Sequence, residues 1–64
     1  MKTESRPAKV GERIMITRTA LLVGQHYEVG DILTVLDYAG SVDGDIYVEG
    51  TRDFIDYLEY EVVV

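Results

Sequence analysis

The sequence contains no cysteine and no tryptophan, one histidine and one proline. Without cysteine there is no disulfide and no thiolate metal site, and the single His26 cannot build a histidine zinc centre. No apolar run approaches the ~20 residues of a membrane-spanning helix. The opening "MKTESRPAKV" lacks the apolar core of a signal peptide, so the expected location is cytoplasmic. Positive charge is almost missing beyond residue 18: residues 19–64 carry ten acids against Arg52 alone, a net −9, whereas residues 1–18 carry five cations against two acids, a net +3. A nucleic-acid binder shows the reverse balance, because phosphate neutralisation supplies most non-specific affinity. Direct binding to nucleic acid is therefore disfavoured. The acidic part suits either solubility alone or a basic surface on another protein.

At 64 residues the chain forms one domain at most. A domain of this size buries only about 60% of the surface of its unfolded chain. Its stability has to come from a single apolar core or from a partner subunit. The 47% hydrophobic and 28% charged content is that of a folded domain and not of a disordered one.

Residues 1–9 are polar and aperiodic and contain Pro7, so they read as a flexible, disordered N-terminal tail. In "ERIMITRT" Ile14 and Ile16 alternate with Arg13, Met15 and Thr17, the spacing of a strand with one apolar face. "ALLVGQHYEVGD", residues 20–31, holds too short an apolar run for a stable helix and reads as a long structured loop. "DILTVLDY" is the strongest strand, β-branched and bounded by Gly30 and Gly40. Asp43-Gly44 signals a tight hairpin turn, since Gly supplies the positive φ a primed turn needs. "DIYVEG" follows as a strand with Ile46 and Val48 on one face. "FIDYL" is a short strand with Ile55 and Tyr57 inward, "EYE" a single 3₁₀ turn, and "VVV" the closing strand. Five short strands with regular turns and no helical pattern predict an all-β fold. At this length a five-stranded barrel over residues 10–64 hides its edges most economically. Its core is expected to contain Ile14, Ile16, Leu33, Val35, Ile46 and Val48.

"HYEVGDILTVLD" resembles the diverging turn and second strand of Src-homology-3 (SH3) domains, with Tyr27 and Val29 before Gly30-Asp31 and Leu33 and Val35 as core positions. "VDGDIYVEG" and "FIDYLEYEVVV" resemble the hairpin, the 3₁₀ turn and the closing strand that follow. The resemblance implies a small SH3-like barrel. It does not extend to the aromatic walls that bind proline motifs: "MITRTALLV" stands where the first aromatic motif belongs, there is no Trp pair, and no Pro stands at Leu58 or Glu59. Only Tyr60 lies near a groove position. "KVGERIMI", "GQHYEVG" and "YLEYEVV" are similar to short SH3-like proteins encoded by bacteriophages and prophages of Gram-positive bacteria. That likeness implies a viral protein acting in the host cytoplasm.

No catalytic residue, cofactor site or metal site is expected. A lone histidine lacks the positioned partner that acid–base work needs, and His26 reads as a surface or capping residue. The pairs Asp43/Asp45 and Asp53/Asp56 fall short of the six to eight oxygens of a calcium loop. "GQHYEVG" lacks the Lys and helix of a phosphate loop. Five tyrosines against one phenylalanine are the informative side chains. Some cap the core; others can serve as interface anchors. The candidate protein-binding face comprises Tyr38, Tyr47, Glu49, Glu59, Tyr60 and Glu61. The leading expectation is a non-enzymatic module that binds a host or phage protein through this acidic, tyrosine-bearing face, as an inhibitor or host-takeover factor. Two alternatives stand beside it. One is an acidic mimic of nucleic acid that blocks a DNA- or RNA-binding protein. The other is a structural virion component whose "EVVV" end pairs with a second copy. The chain is expected as a monomer or a homodimer.

Overall fold

Alternation along the strands decides which residues meet. In the computed structural model, which describes residues 1–19, 27–52 and 54–64, Ile14 and Ile16 are fully buried, Met15 between them is half-buried and Arg13 before them is exposed. Six strands form: β1 (Thr3–Glu4), β2 (Arg13–Ile16), β3 (Ile32–Tyr38), β4 (Ile46–Val48), β5 (Phe54–Ile55) and β6 (Tyr60–Val63), with a 3₁₀ turn at Tyr57–Glu59. They make one antiparallel sheet in the order β1-β6-β2-β3-β4-β5. The fold is all-β.

Register places apolar residues opposite one another across the strands. Ile14 faces Leu33 on one side and Val62 on the other, Val35 faces Val48, and Ile46 faces Ile55. Directly opposed residues project to the same side of a sheet. Five of the six expected core residues are therefore almost fully buried, and Leu33 packs against them half-buried. Ile55, Val62, Tyr27, Tyr60 and Ala8 complete the same cluster. Strand β3 is shared: its first half pairs β2 and its second half pairs β4, with a bulge between Val35 and Asp37. A bulge bends its strand and sharpens the twist. The bend lets the inner faces of both halves close on one core.

The structure corrects three expectations. There are six strands, not five, and the sheet runs open from β1 to β5, with no ladder joining those ends among the described residues. The first nine residues are not a free tail. Thr3 and Glu4 pair with Val63 and Val62, and Ala8 is only 3% exposed. The cause is tertiary: the outer edge of β6 offers backbone partners that a polar, aperiodic stretch can use whatever its periodicity. Finally, "FIDYL" stops being a strand after Ile55. Asp56 accepts the Leu58 N–H at 2.9 Å and Glu59 accepts the Asp56 N–H at 3.1 Å, a reciprocal capping box that starts the 3₁₀ turn there.

Two glycines are required by geometry. Gly30 (φ 96°) turns the chain so that its N–H reaches Ile16 O at 2.8 Å while Ile16 N–H reaches Asp31 O at 2.9 Å. Gly44 (φ 99°) lies against Tyr57, and a Cβ there would sit 2.6–2.8 Å from the ring and its Cβ. The long-loop reading of residues 20–31 and the placement of His26 and Asp53 fall outside the described residues for the most part. At the described end of that loop Tyr27 points inward and Val29 is 61% exposed.

A candidate docking face on the outer side of β3, β4 and β5

The six expected site residues do not form one face. Glu59 and Tyr60 are buried, at 8% and 4% exposure. Glu59 closes a polar clasp: Oε2 accepts the Tyr27 hydroxyl at 2.8 Å and Oε1 accepts the Asp56 N–H. Its backbone carbonyl accepts the N–H groups of Thr17 and Arg18 at 2.8 and 3.3 Å. Tyr60 donates its hydroxyl to Gly44 O and accepts the Ala8 N–H at 3.0 Å. Its ring meets that of Tyr57 edge-to-face, centroids 5.8 Å apart. Burial pushes the Tyr60 hydroxyl above the ordinary tyrosine range, the Ala8 contact offsetting part of the rise. Both residues hold the fold and offer no docking surface. The physical reason is the 3₁₀ turn, which rotates residues 59 and 60 inward where a continued strand would have turned one of them out. Glu61 is half-buried and accepts the Thr3 hydroxyl at 2.6 Å, so it is engaged by β1.

Tyr38, Tyr47 and Glu49 are exposed, but register separates Tyr38 from the other two. Tyr38 stands opposite Ile46, which in turn faces Ile55, so it caps the end of an inward row. It borders a shallow cleft formed by the turn residues 40–45. Tyr47 lies in the neighbouring row with Asp37 and Phe54 on either side. That row faces outward: Tyr47 is 43% and Phe54 52% exposed. The two rings, with Ala39, Gly40 and Asp45, line a second cleft of about 240 Å³. Glu49 follows two residues after Tyr47 on the same side, its N–H bonded to Thr34 O at 3.0 Å. Leu36, at the bulge, adds another exposed apolar side chain.

Sequence reasoning passed over Phe54 and Leu36, and named Asp37 only as an acid flanking the tyrosines. Phe54 carried a signal, because expecting Ile55 and Tyr57 inward leaves Phe54 outward. The pairing of Phe54 with Tyr47 is a matter of register between strands. No Lys or Arg occurs from residue 19 to residue 51. The outer row is thus two aromatic rings beside carboxylates, without a cation on either of the strands that carry Asp37 and Tyr47.

Among the described residues no group of three or more His, Cys, Asp or Glu is arranged to hold a metal ion, and no helix is long and apolar enough to cross a membrane. Fold and face together define an all-β domain with an exposed aromatic row. Comparison with protein-family models, with curated proteins and with solved structures finds no match.

Proposed function

We propose that this chain is a protein-binding module that acts by contact and not by catalysis, and that it docks a partner through the outer row Asp37–Tyr47–Phe54. The observation that carries the proposal is the exposure of two adjacent aromatic rings on packed strands. Large apolar side chains grouped on a surface mark interaction sites, and aromatic anchors dominate interface energies. Carboxylates at Asp37, Asp45 and Glu49 give the rim one sign of charge, which steers encounter and selects a partner with basic groups. This narrows the expected tyrosine-bearing face to Tyr47 and Glu49 of the residues first singled out.

The same proposal includes the finer fold reading, a phage-type SH3-like order of strands with no ladder closing β1 onto β5 among the described residues. It is supported by the order of elements after β1. A diverging turn at Gly30-Asp31 leads to a long strand shared between two antiparallel groups. A hairpin and a short strand follow, then the 3₁₀ turn and a last strand paired with β2.

A photo-crosslinking residue in place of Phe54 tests the docking face in the cells that naturally contain the protein. A discrete cross-linked protein is expected at Phe54. It should be absent with the probe at Val10, an exposed residue outside that row, and lost when Tyr47→Ala is added without change in melting temperature. Identical products from both probe positions would overturn the proposal.

A further inference from the structure

The first nine residues are bound to the rest of the chain as an extended ligand is bound. Thr3 and Glu4 add a strand to the edge of β6, and Val64 N–H closes the ladder on Lys2 O at 3.0 Å. The Thr3 hydroxyl reaches Glu61. Arg6 forks onto Glu12, with Nη1 to Oε1 at 2.9 Å and Nη2 to Oε2 at 2.8 Å, and a third bond runs from Nε to Glu4 at 2.9 Å. Ala8 plugs the core beneath the Tyr60 hydroxyl, and the Lys9 N–H donates to Glu12 Oε1 at 2.8 Å. Every one of these partners of the strap except Glu4 lies beyond residue 10. Two exposed residues, Val10 and Gly11, link this strap to Glu12 at the start of the body, and Gly11 turns with a φ of 91°.

We infer that the β6 edge, the Tyr60 hydroxyl and the Glu12 carboxylate form an acceptor groove for an extended segment, and that residues 1–9 of a second copy of this chain fill it by reciprocal exchange. The occupant seen in the groove fixes what fits: a hydroxyl opposite Glu61, a guanidinium at Glu12 and a methyl-sized residue under Tyr60. A second copy presents all three in the same order. Contacts made in cis and in trans are the same; only the turn at Val10–Gly11 differs, extended in the exchanged pair. This departs from the expectation that "EVVV" pairs with another copy through a free edge, because β1 and β2 already occupy both edges of β6. Strand exchange of this kind is a low-cost route to dimers.

The absence of cysteine makes the test direct. Thr3 and Val63 are direct partners, and the Lys2–Val64 bond beside them makes theirs the close, non-hydrogen-bonded kind of pair that a disulfide spans. The double variant Thr3→Cys, Val63→Cys should form an intrachain disulfide, which verifies the seat. Single variants Thr3→Cys and Val63→Cys are then mixed in a glutathione redox buffer, and the mixed disulfide is quantified by mass. A short linker gives the cis strap an effective concentration in the millimolar range, so the yield should rise roughly a hundredfold between about 10 μM and about 1 mM chain. A yield no higher than that of Thr3→Cys mixed with Val42→Cys overturns the proposal. So does an absent intrachain disulfide in the double variant.

Discussion

Replacing Tyr60 by Phe removes one oxygen and keeps the ring. That oxygen serves two buried backbone groups that are far apart in sequence, Gly44 C=O in the hairpin turn and Ala8 N–H in the strap. The Phe ring preserves the edge-to-face contact with Tyr57, so packing is not in question. A buried polar group left without its partner costs about 1–3 kcal/mol, and two such groups together cost about 2–6 kcal/mol. A domain of 64 residues has a total stability of roughly 3–10 kcal/mol, so the loss is a large fraction of the whole. At ~4–8 °C per kcal/mol the melting temperature should fall by about 8 °C or more. Urea unfolding followed by far-ultraviolet circular dichroism reads the free energy. Hydrogen exchange reads the mechanism, because the Ala8 amide should lose protection out of proportion to its neighbours. Tyr38→Phe, at an exposed hydroxyl, is the control and should lie within about 0.5 kcal/mol of the parent. A Tyr60→Phe loss as small as that control, or an Ala8 amide still fully protected, would refute the reasoning.

Gly44→Ala should destabilise by about 2–5 kcal/mol, combining backbone strain at φ 99° with a Cβ placed 2.6–2.8 Å from Tyr57. Gly40→Ala, at φ 63° with nothing within 4 Å, should cost only about 1 kcal/mol, and chemical denaturation of the two variants distinguishes steric overlap from strain. The Glu12 carboxyl is held at about 2, below its ordinary 4.5, first by the Arg6 hydrogen bonds and next by the Lys9 N–H. A depressed folded-state value means that its stabilisation is complete above about 4.5 and disappears as pH falls through about 2. The difference in melting temperature between the parent and Glu12→Gln should therefore be constant above pH ~5 and shrink toward zero between 4.5 and 2. A difference that grows on acidification would show that Glu12 is not ionised against Arg6 in the folded chain.

Much of this protein follows from local pattern. The period-two spacing of Ile14 and Ile16, of Leu33 and Val35 and of Ile46 and Val48 by itself determined that the chain is all-β and that five of these six residues are buried in its core. Apolar burial is the dominant favourable term in folding, and it acts on that spacing wherever the strands end up. Likewise Asp43-Gly44 announced a turn through the rarity of positive φ outside glycine, although the ladder closes at Ala39 and Asp45, so the connection is longer than the tight hairpin expected. What the pattern did not carry is pairing. That Tyr47 stands beside Phe54 depends on the register between β4 and β5, and that Asp37 and not Leu36 stands on its other side depends on the bulge between Val35 and Asp37. Whether Tyr60 and Glu59 face solvent depends on a capping box at Asp56. Whether residues 1–9 are free depends on an edge of β6 more than fifty residues away. Only the tertiary structure decided these three points, because hydrogen-bonded register and edge occupancy are relations between segments, and composition and periodicity describe each segment alone.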